Sequence, residues 1–155
     1  MSESGRILVI DDEETIRRTL SMTLEHEGYV VDTAENGREA IAKSQARFYN
    51  LALIDIRLPD MEGTELLTRL NDTTPRMVKV ILTGFPGLQN AVTAINKGVD
   101  AYLVKPVDTK EVLRVIRDRL DKQKREVEYG QDKIAEFVET RFKEMANEET
   151  DDEKR

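Results

Sequence analysis

The sequence predicts a doubly wound α/β domain, a parallel five-stranded sheet covered on both faces, followed by a helical extension. Between residues 6 and 120, five short apolar runs alternate with longer segments of helical period. Four of the five are almost continuously apolar, as buried parallel strands are. Asp11-Asp12, Asp55 and Lys105 each stand directly behind such a run, so charge collects where the strands end.

The first run, residues 7–10 (ILVI), leads into Asp11 and Asp12. Ile16, Leu20 and Leu24 then recur every fourth residue and put one apolar stripe on a first helix. Gly28 follows where a left-handed helix cap favours a residue without a side chain. The second run, residues 29–33, mixes in Asp32 and Thr33 and reads as an edge strand. The third, residues 51–54 (LALI), precedes Asp55, and Leu66, Leu67 and Leu70 mark the helix after it. The fourth, residues 78–82, ends at Thr83 and Gly84; Ala91, Val92 and Ile95 then carry a helical stripe that closes at Gly98. The fifth, residues 101–104 (AYLV), precedes Lys105 and Pro106, and Asp108 is placed to cap a last helix bearing Val112, Leu113, Val115 and Ile116. Five strand-helix alternations imply right-handed crossovers, and ligands of such sheets gather beyond the carboxyl ends of the strands.

After Leu120 the composition changes to the polar DKQKREVEYGQDK. Ile134, Phe137, Val138, Arg141, Phe142 and Met145 then resume a helical stripe, with Gly130 as the expected break and Asp132 as a cap. The final EETDDEKR has nothing to bury and is expected to be disordered. The predicted division is therefore 5–120 for the domain, 121–147 for a helical extension and 148–155 for an acidic tail. The extension is shorter than the roughly 40 residues that a chain needs to fold alone without staples.

The 155 residues carry a net charge of −7, which argues against a general polyanion binder and hence against a nucleic-acid role. There is no cysteine, so disulfides, thiolate metal sites and thiol nucleophiles are excluded. The amino terminus lacks the apolar core of a signal peptide, and no stretch is apolar enough for membrane insertion. The expected setting is the cytoplasm.

Three carboxylates cannot all ionise close together in a cleft without compensation. At about 4 Å and an effective dielectric near 20, each pair repels by about 4 kcal/mol. Lys105 neutralises one charge, and a hard divalent ion such as Mg2+ neutralises two while keeping waters that a phosphoryl oxygen can replace. A carboxylate can also attack phosphorus to give an aspartyl phosphate. Thr83 offers a hydroxyl to a phosphate oxygen and Gly84 leaves the backbone open there.

With ILVIDDE, LALIDIRLPDMEG, VILTG and AYLVKP in that order, residues 5–120 resemble a response-regulator receiver domain of two-component signalling, similar to the chemotaxis receivers. The resemblance implies the flavodoxin-like strand order 2-1-3-4-5. It implies that Asp55 accepts a phosphoryl group from a histidine kinase. Asp12 and Asp55 would bind Mg2+ or Mn2+ directly, Asp11 through water, and Arg57 through its backbone carbonyl. Lys105 would hold the phosphoryl group, and Thr83 and Tyr102 would be the switch pair that passes the charge to a surface change. It also implies a cis peptide before Pro106, and a homodimer through the fourth helix, fifth strand and fifth helix. Arg57 and Phe85, two residues past the phosphoacceptor and the switch threonine, would flank the attacking water and slow loss of the phosphoryl group.

The expected activity is a phosphorylation switch that signals through protein contacts, with no DNA-binding output domain and no catalysis beyond its own phosphorylation and dephosphorylation. One alternative is an aspartate-nucleophile phosphatase of the haloacid-dehalogenase type. Such an enzyme wants Asp-x-Asp after the first strand, whereas here Asp55 is followed by Ile56 and Arg57 and the acid pair comes first. A receiver-fold adaptor without phosphorylation is the other alternative, although no residue of the site is missing.

Overall fold

A computed structural model describes residues 5–70, 73, 75–84, 87–106 and 108–153. The chain divides into two compact units, Met1–Asp121 and Lys122–Arg155. In the first unit, strands β1 (Arg6–Ile10), β2 (Val30–Ala34), β3 (Leu51–Ile54), β4 (Val78–Thr83) and β5 (Ala101–Val104) form one sheet. Every pairing is parallel and the order is β2-β1-β3-β4-β5, the flavodoxin-like order. Helices α1 (Glu14–His26), α2 (Gly37–Ala46), α3 (Gly63–Arg69), α4 (Leu88–Asn96) and α5 (Thr109–Glu153) alternate with the strands.

Alternating residues of each strand feed two separate cores, because successive side chains point to opposite faces. Ile7, Val9, Leu51, Leu53, Val80 and Leu82 pack with Leu20 and Leu24 of α1 and with Val112 and Ile116 of α5. Leu8, Ile10, Ala52, Ile54 and Ile81 pack on the other face with Leu66 and Leu67 of α3 and Ala94 of α4. Burial on both faces is why runs such as ILVI and LALI show no polar alternation.

The helix signals are realised in several places. Gly28 and Gly98 hold φ of 96° and 84°, the left-handed conformation expected of cap glycines. The Asp108 carboxylate accepts from the N–H of Lys110 at 3.0 Å. The Lys105–Pro106 peptide is cis.

Other expectations are corrected. An open sheet has two edges, and β5 is the second: its residues are only half-covered and Val104 is 48% exposed. Tyr29 precedes β2, which reaches Ala34 instead. On α4 it is Ala94 that is buried, while Val92 and Ile95 face outward. The break expected at Gly130 does not occur, and α5 continues through Glu153, into the stretch for which no structure was expected. A helical glycine costs only about 1 kcal/mol against alanine. The surrounding Glu, Lys, Arg, Gln and Ala are good helix formers, and the pairs Lys143–Glu139 (3.3 Å) and Arg141–Glu144 (2.9 Å) add support at helical spacing.

Candidate functional site

The sheet register brings the site together. Ile10 pairs with Ile54, so Asp11 and Asp55 leave adjacent strands at the same level. The ladder runs one residue further: the N–H of Asp55 donates to Ile10 O at 2.9 Å and that of Asp11 to Ala34 O at 3.1 Å. On the other side Thr83 pairs with Val104, and the N–H of Lys105 donates to Thr83 O at 2.8 Å. Each functional side chain is therefore fixed by a strand end.

Asp11, Asp12 and Asp55 each offer a carboxylate oxygen within 4.8 Å of the others. Asp11 and Asp55 are buried, while Asp12 is exposed. Lys105 Nζ donates to Asp11 Oδ2 at 2.8 Å and lies 3.5 Å from Asp55 Oδ2 and 3.6 Å from Glu13 Oε1. Asp11 is held at its other oxygen by the N–H of Glu13 at 2.9 Å, and its carbonyl accepts from Arg17 Nη1 at 2.7 Å. Burial raises the pKa of Asp55, and the charge of Asp11 adds to this against the opposing pull of Lys105, to about 6. For Lys105, burial favours the neutral amine, but its hydrogen bond to Asp11 and the surrounding carboxylates outweigh that and raise its pKa.

Three oxygen donors with one ammonium are under-compensated, and a small divalent ion with retained waters suits them. The chemistry of the donors fits Mg2+ or Mn2+.

Thr83 is wholly buried at the end of β4. Tyr102 packs against the core on the α2–α4 side, and its buried hydroxyl has no hydrogen-bond partner among the described residues. Arg57 lies two residues past Asp55, with its N–H 3.4 Å from Asp55 Oδ1. Phe85 lies outside the described residues.

Besides Glu13 and Arg17, which hold Asp11, two further residues around the site were not singled out from the sequence. Gly63 opens α3 with its N–H donating to Ile56 O, and a Cβ there would stand 2.2 Å from the carbonyl oxygen of Asp55. Asp60 accepts from the N–H groups of Gly37 and Arg38 at 2.8 and 2.9 Å, tying the loop after Asp55 to the start of α2. The DMEG stretch holds both residues, but no local signal tells which backbone they approach.

The family model for the response regulator receiver domain matches residues 7–117. The chain belongs to this family. The receiver domain protein (CheY-like) of Methanospirillum hungatei JF-1 is 45% identical with a TM-score of 0.75, covering 78% of this chain and 97% of that one. The beryllofluoride-activated NtrC4 receiver domain dimer is 36% identical with a TM-score of 0.71, covering 76% and 98%. Among curated relatives, the transcriptional regulatory protein ResD of Bacillus subtilis is 41% identical over 108 residues, which are 70% of this chain and 45% of ResD. The chain thus spans about half the length of the curated relatives it matches. The order of acid pair, Asp55, Thr83 and Lys105 is that of the receiver, and the haloacid-dehalogenase alternative is set aside. No helix among the described residues is long and apolar enough to cross a membrane.

Proposed function

We propose that this receiver is a phosphorylation switch in which Asp55 takes a phosphoryl group from the phosphohistidine of a histidine kinase. The observation that carries this reading is Asp55 itself, buried beside Asp11 with Lys105 Nζ 3.5 Å away. A carboxylate oxygen of Asp55 forms the new P–O bond as the P–N bond to the imidazole breaks, and the imidazole nitrogen keeps the electron pair. Loss of the group is hydrolysis of the acyl phosphate, which returns the carboxylate and inorganic phosphate. Apart from this self-dephosphorylation the chain is not an enzyme.

Asp12 and Asp55 would hold Mg2+, with Asp11 supporting through water and the Arg57 carbonyl completing the protein ligands. If bound there, the ion would supply positive charge that offsets the charge building on the phosphoryl oxygens. Lys105 supplies the remaining charge and orients the group. The Thr83 hydroxyl receives it, and Tyr102 responds. That the buried Tyr102 hydroxyl has no hydrogen-bond partner among the described residues supports that role, because a buried donor without a partner is destabilised where it stands.

The curated relatives are named as transcriptional regulators and are about twice as long. In this chain residues 118–153 lie in α5 and carry more acidic than basic residues, a poor match to a phosphate backbone. The reading here is output through protein contacts, including those of α4, β5 and α5, in a cytoplasmic setting.

Incubation with acetyl phosphate and Mg2+, followed by intact mass, tests the proposal. Wild type gains one phosphoryl group and Asp55→Asn gains none. A folded wild type that never gains mass would count against it.

A further inference from the structure

We propose that the start of α2, which carries none of the candidate metal ligands, braces the two loops that do, with Arg17 and Asp60 as the positioning residues that join it to them. Of the ligands in the proposed Mg2+ site, on which this inference rests, Asp55 continues the sheet ladder, its N–H on Ile10 O at 2.9 Å. Asp12 stands one residue past the ladder, between β1 and α1. Arg57 lies between β3 and α3, where it bridges to Glu62 of its own loop. The placing of Asp12 and of the Arg57 carbonyl therefore depends on what holds their loops.

Both loops are tied to the same short stretch. Arg17, whose side chain is only 17% exposed, donates from Nη1 to the Asp11 carbonyl at 2.7 Å and so holds the peptide that joins Asp11 to Asp12. Its Nη2 lies 3.9 Å from Glu35 Oε2, just before α2. From the other loop, Asp60 sets one carboxylate oxygen on the Gly37 N–H at 2.8 Å and the other on the Arg38 N–H at 2.9 Å. A carboxylate on the free N–H groups of a helix start makes charge-assisted hydrogen bonds, which are stronger than neutral ones. Met61 lies over Gly37 so closely that a Cβ there would meet its sulfur. Between the two attachments, Asn36 Oδ1 accepts from the Glu39 N–H at 2.7 Å and Glu39 Oε2 from the Glu35 N–H at 3.2 Å, so the connecting turn is itself closed.

Arg17, residues 35–38 and Asp60 thus connect one ligand loop to the other in series. A break at either end frees the spacing, so two breaks should cost less than the product of their separate effects. Linkage adds a second consequence: a brace that favours the ion is favoured equally by it.

The test is Mg2+ titration calorimetry on the full chain. Arg17→Ala and Asp60→Ala should each weaken Mg2+ binding by about tenfold, as loss of groups that orient metal ligands does, with circular dichroism unchanged. Asp60→Asn, which keeps one acceptor oxygen, should fall between, and the double variant should bind Mg2+ little worse than either single one. In the wild type, Mg2+ should slow amide hydrogen exchange at Gly37 and Arg38, and this slowing should vanish in Asp60→Ala. Unchanged affinity in either single variant, losses that multiply in the double variant, or exchange at Gly37 and Arg38 that ignores Mg2+ would each overturn the brace while leaving the Mg2+ site intact. A wild type that takes up no Mg2+ would overturn the site and the brace together.

Discussion

The Lys105 ammonium sits 2.8 Å from Oδ2 of Asp11, closer than to any oxygen of the phosphoacceptor. Its charge is committed first to Asp11, with Asp55 and Glu13 farther off at 3.5 and 3.6 Å.

Lys105→Met removes that charge from a pair in which both side chains are nearly buried, leaving Asp11 and Asp55 to repel each other. Breaking a buried pair typically costs about 3–5 kcal/mol. In EDTA at neutral pH, the urea midpoint should fall accordingly. In Mg2+ the gap to wild type should narrow, because the cation replaces part of the missing charge. Equal gaps with and without Mg2+ would contradict the shared role.

Asp55 makes stability depend on pH. Its pKa rises from 3.8 to about 6 on folding, so the folded state holds this proton more tightly than the unfolded chain. Its contribution therefore weakens as pH climbs through that window, by roughly 3 kcal/mol as an upper figure. Asp55→Asn should be more stable than wild type at pH about 7.5 in EDTA, with the difference shrinking towards pH about 4.5. Denaturant titrations at the two values check this, and a pH-independent difference would refute it.

Gly63→Ala introduces a Cβ that would stand 2.2 Å from the Asp55 carbonyl oxygen and 2.8 Å from Ile56 Cα. Both contacts are with backbone, so no side chain can swing aside. The expected result is a loss of several kcal/mol or a displaced Asp55 loop, in the upper range for single substitutions. Melting temperature and the rate of phosphorylation by acetyl phosphate read the two outcomes. Wild-type behaviour in both would show that α3 moves freely.

Gly130→Pro distinguishes one continuous helix from two. In a continuous α5, proline at this position removes a hydrogen bond and costs about 3 kcal/mol, lowering helix content in far-UV circular dichroism. Gly130→Ala should raise helix stability by about 1 kcal/mol. A proline variant with unchanged helicity would restore the break that the sequence suggested.

The fold was legible because four of the five strands are largely apolar runs that stop at a charged or hydroxyl residue, whereas the mixed run of β2 left its bounds blurred. Ile54 before Asp55 and Val104 before Lys105 mark both a strand end and a site position. The residues that lay beyond sequence reasoning act across long separations. Asp60 reaches Gly37 at 2.8 Å across 23 residues, and Gly63 is constrained by a backbone it meets only after the chain turns. Gly130 misled because glycine ends helices at positive φ, whereas here strong helix formers on both sides carry the helix through it.

Borohydride trapping tests the central claim most directly. After Mg2+ and acetyl phosphate, reduction of an acyl phosphate converts the phosphorylated aspartate to homoserine, which peptide mass mapping locates. The account predicts homoserine at position 55, dependent on Mg2+ and on Lys105. Homoserine at Asp11 or Asp12, or none in a folded protein, would contradict it.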